Sequence, residues 1–248
     1  MSIILKGECM EKIKEILSDI NVDKILDVAT GRGEFVELLK NNIGSFNEII
    51  GIDNHKSSLK IAQEKNKKIK NIKFIDEDIF NSNLKKESFQ MVTVSNSLHH
   101  FKTPQNLLKT AFSFLKKDGY FIISEMHRDG RQTKSQNTHI MIHHWGAKID
   151  MINNYYHEET FTHDQLVKLA DTLTLKEKKV LKFSYPFDEN SKEEYKEYFK
   201  KGLKKKLSSV DKKNQDYQNL KKEMNEILKH VDEYGFATSE MTFIIGRK

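Results

Sequence analysis

Apolar residues fall along this chain in two alternating rhythms. Short runs rich in β-branched and aromatic residues, at 24–28, 48–52, 72–75, 89–94 and 120–124, have the length and composition of buried strands. Between them, 33–41, 57–68 and 104–115 carry apolar residues at the spacing of a helix with one buried stripe. Pro104 suits the first turn of its helix, where a missing N–H costs nothing, and Lys117-Asp118-Gly119 reads as a turn into the fifth strand. This alternation predicts an α/β fold, a doubly wound and mostly parallel sheet wrapped by helices.

After Glu125 the regular alternation stops. A His-rich segment, 127–157, intervenes before Thr162-His163-Asp164-Gln165 opens a helix with a capping-box pattern. Two more strands, expected at 178–185 and 240–246, bring the sheet to seven, with 241–245 returning the chain as an inner strand. Between them lies a highly charged stretch, 189–233, in which Tyr195, Phe199 and Leu203 recur every four residues, as do Leu220, Met224 and Leu228. Two amphipathic helices are predicted there. The expected organisation is one domain over 1–248, with a cofactor-binding core at 20–126, a His-rich insertion or lid at 127–160 and a helical insertion at 189–235.

Composition narrows the class. One cysteine cannot build a disulfide scaffold, and 248 residues with 37% hydrophobic side chains supply a full core. No stretch approaches the roughly 18 apolar residues of a membrane span, and 1–10 lacks a basic start before an apolar core, so a soluble cytoplasmic protein is expected. The net charge of +6 is spread over helices that carry both signs. A nucleic-acid partner is therefore not expected. The run Lys200-Lys201-Gly202-Leu203-Lys204-Lys205-Lys206 reads as a solvated helix end, because Glu193, Glu194 and Glu197 precede it.

The sharpest chemical signal is Ile25-Leu26-Asp27-Val28-Ala29-Thr30-Gly31-Arg32-Gly33, a strand running into a glycine turn that opens a helix. Twenty residues past Gly33, the second strand ends at Asp53, where a carboxylate can accept hydrogen bonds from two ribose hydroxyls. The third position of a dinucleotide fingerprint is Val36 instead of glycine, and no G-x-x-x-x-G-K-[ST] phosphate loop is present. A ligand with ribose and adenine but no phosphates fits better, and S-adenosylmethionine is the common one.

The run Leu-Asp-Val-Ala-Thr-Gly-Arg-Gly resembles the first motif of class I S-adenosylmethionine-dependent methyltransferases, and its Val-Ala-Thr-Gly form looks like the quinone-biosynthesis C-methyltransferase branch. The resemblance extends through Ile50-Gly51-Ile52-Asp53, 74–79, 89–101 and 115–120, covering roughly residues 20 to 126. It implies a Rossmann-like methyltransferase fold in which Ala29, Thr30, Gly31 and Gly33 serve the methionine end and Asp53 with Asn54 the ribose. It further implies that Asp78 and Ile79 meet the adenine and that Asn96 faces the methyl-donor end. Gln90 departs from the family, which usually has aspartate after that phenylalanine.

Methyl transfer needs an in-line nucleophile and, for a weakly acidic acceptor, a base to take its proton. Histidine is the usual candidate. His100, after the fourth strand in Leu98-His99-His100-Phe101, is one such residue, and His143 of the insertion is the other. His139 and His143 stand at i and i+4, Asp150 lies seven further on the same side, and Ile140, Ala147 and Met151 are expected to pack inward. Three readings of that face stay open: a lid whose histidines bond to the sheet, a pocket wall, or a metal site. Neither H-E-x-x-H nor a cysteine partner accompanies the pair, so no metal is expected. The expected activity is methyl transfer to a small-molecule acceptor; an RNA or protein methyltransferase, or a non-catalytic S-adenosylmethionine-binding protein, are the alternatives.

Overall fold

The computed structural model describes residues 6–185 and 192–248. Among these, seven strands form one sheet: β1 (Lys24–Val28), β2 (Glu48–Asp53), β3 (Ile72–Asp76), β4 (Phe89–Ser95), β5 (Leu115–Met126), β6 (Lys176–Phe183) and β7 (Met241–Arg247). Their order across the sheet is β3-β2-β1-β4-β5-β7-β6. The first five run parallel, and β7 lies antiparallel between β5 and β6, the inner position expected for it.

Burial on both faces explains why the strands read as continuous apolar runs. Ile25 and Leu26 are adjacent in sequence yet belong to opposite cores, and so do Met91 and Val92, Ile122 and Ile123, and Phe243 and Ile244. On one face lie α1 (Lys6–Ser18) and α2 (Glu34–Asn42), which bury Ile13, Leu17, Phe35 and Leu39 against Ile25 and Met91. On the other, α4 (Pro104–Phe114) and α6 (His163–Ala170) bury Leu107, Leu108, Phe114 and Leu166 against Leu26 and Val92. α3 (Lys56–Asn66) connects β2 to β3 and buries Leu59 and Ala62.

A third core stands apart from the sheet. Trp145 and Ile149 of α5 (Lys134–Ile152) meet Leu203 and Leu207 of α7 (Lys192–Leu207) and Leu220, Met224 and Val231 of α8 (Tyr217–Tyr234). The Trp145 indole N–H donates to the Leu220 carbonyl at 2.9 Å, so its buried polar tip is satisfied. Thr133 and Gln136 cap the start of α5 reciprocally, as Thr162 and Gln165 do for α6. Of the two expected apolar stripes, Leu203, Leu220 and Met224 are buried, Leu228 is half-buried, and Phe199 stacks on Phe236 at 3.9 Å. Glu189, where the charged stretch begins, and the Tyr195 side chain lie outside the described residues. None of the described helices is long and apolar enough to cross a membrane.

Several boundaries move, each for a local reason. β5 starts at Leu115, because the expected turn at 117–119 is a bulge inside the strand: Phe89 pairs with Leu115, the register shifts, and Met91 pairs with Tyr120. Asp118 takes a positive φ of 59° there, and its carbonyl accepts from the Arg247 guanidinium at 2.7 Å. β6 runs Lys176–Phe183 and so ends two residues before Tyr185. Met151, expected to pack inward, is 48% exposed. The Gln90 side chain accepts a hydrogen bond from the Lys24 backbone N–H at 3.0 Å, which gives the unusual residue a structural task at the start of β1.

Gly51 on β2 lies beneath the turn after β1. A Cβ there would come within 2.7 Å of the Phe74 ring and 2.8 Å of the Thr30 hydroxyl. Gly51→Ala is therefore expected to destabilise the fold by about 1–3 kcal/mol through overpacking. Urea unfolding followed by the fluorescence of Trp145 checks this, since the chain has one tryptophan; an unchanged midpoint would contradict the tight fit.

Candidate active site

Parallel strands deliver β1, β2 and β4 to one edge of the sheet, where the chain can open a crevice at their carboxyl ends. The turn after β1 packs three positive φ angles into five residues: Ala29 at 53°, Gly31 at 54° and Gly33 at 76°. Ala29 carries a Cβ in this left-handed region at a cost of about 1–2 kcal/mol. The surrounding contacts hold it there. Thr30 N–H donates to the Ile52 carbonyl at 3.1 Å, Gly33 N–H to the Thr30 carbonyl at 2.9 Å, and Gly31 N–H to the Asp53 carboxylate at 2.8 Å. Beneath the turn, Asp27 accepts from the hydroxyls of Thr30 and Thr93, both at 2.6 Å, and burial pushes its carboxyl up to about 6.

The neighbouring strand ends supply the other groups. The second Asp53 oxygen accepts from His55 N–H at 2.8 Å. Asp78 caps the short 3-10 turn Ile79–Asn81 by accepting from Phe80 N–H at 2.9 Å. Asn96 takes a φ of 45°; its side-chain oxygen accepts from Met126 N–H at 3.2 Å, which joins the end of β4 to β5.

These elements surround a cavity of about 730 Å³. Of the residues expected from the sequence, Ala29, Gly31, Asp53, Asn54, Asp78, Ile79, Asn96 and His100 line it. Thr30, Gly33 and His143 do not. Thr30 is buried under the turn on Asp27, and Gly33 caps α2 close to Ala62 and Phe74. His143 sits one layer back, its ring 4.8 Å from His157, which does line the cavity.

The opposite wall comes from residues the sequence left unassigned or gave another task. Asp150, Tyr155, Tyr156 and His157 contribute from the end of α5 and the segment after it, and Lys206 reaches in from α7. Lys206 pairs with the Asp150 carboxylate and so is not a solvated helix end. Lys200 likewise pairs with Glu197 and Asp232. Burial acts to raise the Asp150 pKa, but hydrogen bonds from His157 and Lys206 outweigh it and hold the carboxyl below its usual range. Behind this wall, fully buried Glu125 accepts from the N–H groups of Ser97 and Leu98, both at 3.0 Å, and from His99 Nδ1 at 3.1 Å. The signal for Glu125 in the sequence is slight: a lone acid at the end of an apolar strand.

The His139–His143–Asp150 face divides between environments. His139 turns to the segment before β7, where Ser239 N–H donates to its Nδ1 at 3.0 Å, while His143 and Asp150 turn to His157. His100 is exposed on the cavity wall; partial desolvation of its ring, with the imidazoles of His99 and His157 beside it, lowers its pKa. Burial pushes His139 down to about 4 and, with its neighbouring imidazoles, drives His143 far below the usual range.

A family model described as a methyltransferase domain matches residues 21–229. The chain belongs to the class I S-adenosylmethionine-dependent methyltransferases. The demethylmenaquinone methyltransferase of Thermotoga maritima is 31% identical over 116 residues, covering 47% of this chain and 49% of the relative. That of Staphylococcus aureus strain MRSA252 is 29% identical over 115 residues, covering 45% and 48%. The chain thus spans about half the length of the curated relatives it matches. Among solved structures, YcgJ from Bacillus subtilis aligns over 98% of both chains with a TM-score of 0.61 at 14% identity. Phosphoethanolamine N-methyltransferase 2 of Haemonchus contortus, bound to phosphomonomethylethanolamine and S-adenosylhomocysteine, aligns over 98% of this chain and 53% of its own, with a TM-score of 0.55 at 17% identity. At these identities the likeness is one of fold.

Half-buried histidines make acid a denaturant here. Folding holds His139 and His143 neutral, whereas the unfolded chain protonates them below about pH 6.5, so the unfolded state binds more protons and stability falls as pH drops from 6.5 toward 4. Urea midpoints at pH 7.5 and 5.0 are expected to differ in that direction. His139→Gln should narrow the difference by about 2 kcal/mol; an equal or wider gap in the variant would contradict the assignment.

Proposed function

We propose that this protein transfers the methyl group of S-adenosylmethionine to a small-molecule acceptor held between the glycine turn and the wall formed by 150–157 and Lys206. The observation that carries this reading is the meeting of Gly31 N–H and the Asp53 carboxylate at 2.8 Å on the floor of a cavity walled by side chains on its far side. When bound, S-adenosylmethionine supplies a sulfonium methyl. Ala29 and Gly31 offer close backbone approach at the methionine end, and Asp53 with Asn54 has acceptor capacity left for ribose hydroxyls. Asp78 and Ile79 flank the adenine position, and Asn96 stands nearest the methyl-donor end. Thr30 and Gly33 act from behind by shaping the turn.

A volume of about 730 Å³ lies well within the range of small-molecule sites, and the acceptor fills the part next to His100, Tyr155 and His157. His100 is neutral at physiological pH and accepts a hydrogen bond from the acceptor's O–H or N–H, placing the nucleophile in line with the methyl. His143 does not line the cavity and touches the acceptor side through His157 and His99, so it is a positioning residue in this scheme. The ion pairs of Lys200 and Lys206 favour this reading over an RNA substrate, because those ammonium groups are engaged with carboxylates.

Isothermal titration with S-adenosylhomocysteine tests the cofactor half: wild type should bind, and Asp53→Ala should weaken binding tenfold or more. Absent binding, or an unchanged affinity in Asp53→Ala, overturns it. For the acceptor half, label from S-adenosylmethionine should enter the small-molecule fraction of a cell extract, with kcat reduced in His100→Ala and cofactor affinity preserved; label recovered only in RNA or protein overturns it.

A further inference from the structure

Behind the cavity wall, three buried ring nitrogens have no hydrogen-bond partner among the described residues: His99 Nε2, His143 Nδ1 and His157 Nε2. They belong to three separate elements, the short 3-10 turn Leu98–His100 after β4, helix α5, and the segment after α5. The rings nevertheless touch, with centroids 4.7 Å apart for His99 and His143, 4.8 Å for His143 and His157, and 5.2 Å for His99 and His157. One ring nitrogen from each lies within 4.8 Å of the other two.

Carboxylates behind two of the rings settle which nitrogens are free. Glu125 accepts three backbone N–H bonds, from Ser97, Leu98 and Met126, which suits its carboxylate form, and a carboxylate accepts from His99 Nδ1. Asp150, paired with Lys206, stands in the same relation to His157 Nδ1 at 2.8 Å. As neutral rings, both imidazoles then turn a lone pair away from their carboxylate. An unpaired buried acceptor costs about 1–3 kcal/mol. Lone pairs gathered in one place are a costly way to fill space unless something electropositive joins them.

We propose that His99, His143 and His157 form a binding site for a divalent transition-metal ion of the zinc class. Three neutral imidazoles with a fourth position left open is the ligand set of a catalytic zinc centre. The Glu125–His99 and Asp150–His157 pairs are the carboxylate–histidine supports that orient metal-bound imidazoles and raise their basicity. With metal–nitrogen bonds of about 2.0–2.1 Å, the nitrogens of a tetrahedral site stand about 3.3 Å apart. Side-chain rotation of about an ångström closes the triangle to that size. The ion's charge also offsets the buried Glu125 carboxylate. The sequence leads to no expected metal, and His139, the other member of the i, i+4 pair, stays outside this cluster because the Ser239 N–H already occupies its Nδ1.

His157 lines the cavity as well as the cluster, so an ion held there would lie one ring away from the cavity. In the methyl-transfer reading, on which this last step alone rests, an ion held here would supply positive charge beside the acceptor space.

Chelator-stripped full-length protein should take up one equivalent of Co2+ with the visible absorption of a tetrahedral site, and X-ray absorption on the Zn2+ form should count three imidazole ligands. His143→Gln and His157→Gln should each lose the ion, Asp150→Asn should bind it 10- to 100-fold more weakly, and His139→Gln should keep it. Trp145 fluorescence verifies that each variant is folded. Wild type that takes up no metal, a count of fewer than three imidazoles, or stoichiometric metal in folded His157→Gln overturns the proposal. These readouts use no S-adenosylhomocysteine, so their failure leaves the methyl-transfer reading to its own titration.

Discussion

One buried carboxylate, Asp27, ties the ligand-facing turn to the sheet. It sits at 1% exposure on β1 and accepts the hydroxyls of Thr30 from the turn and Thr93 from β4, each at 2.6 Å. With Thr30 fixed, its N–H reaches the Ile52 carbonyl and Gly31 N–H reaches Asp53, so three strands share responsibility for a turn of five residues. The left-handed Ala29 persists because these bonds over-determine it. Burial raises the Asp27 pKa to about 6, so the two hydroxyl donors do not fully repay desolvation, and the anchor holds a proton more readily than a surface aspartate would.

Much of this arrangement is legible in the sequence, for reasons specific to its parts. Strands buried on both faces leave unbroken apolar runs, so 24–28 and 89–94 stand out. The turn and Asp53 are legible because their spacing is set by one βαβ unit. What escapes is whatever depends on residues far apart in the chain. Glu125 and His99 meet because β4 and β5 are neighbours, and His157 joins them because α5 folds back over the sheet edge. Lys206 looked solvated among acids of its own helix, but its partner is Asp150, 56 residues earlier. The helix α1 escaped as well, although Met10, Ile13 and Leu17 carry its buried stripe at spacings of three and four.

The cavity has walls of different character. Its floor is main chain and short side chains fixed by the sheet, whereas its far side hangs on the third core, where Trp145 and Ile149 of α5 pack on α7 and α8. Lys206, Asp150 and His157 form a relay from α7 through α5 to the cavity surface. A change in the packing of α7 therefore reaches the far wall of the cavity without touching the glycine turn.

The antiparallel β7 has a consequence for how the molecule is made. β6 pairs only with β7 among the described strands, and the outer edge of β5 is closed by β7 as well. During synthesis the first five strands can assemble as soon as they emerge, but β6 has no neighbour until the last strand arrives and slides between it and β5. Until then β5 presents an open, apolar edge, and the α7–α8 hairpin hangs from a strand not yet in the sheet. Such an edge invites pairing with other chains. A chain cut short before Met241 would thus keep its glycine turn but leave the sheet unsealed, because β7 is the strand that closes β5 and holds β6.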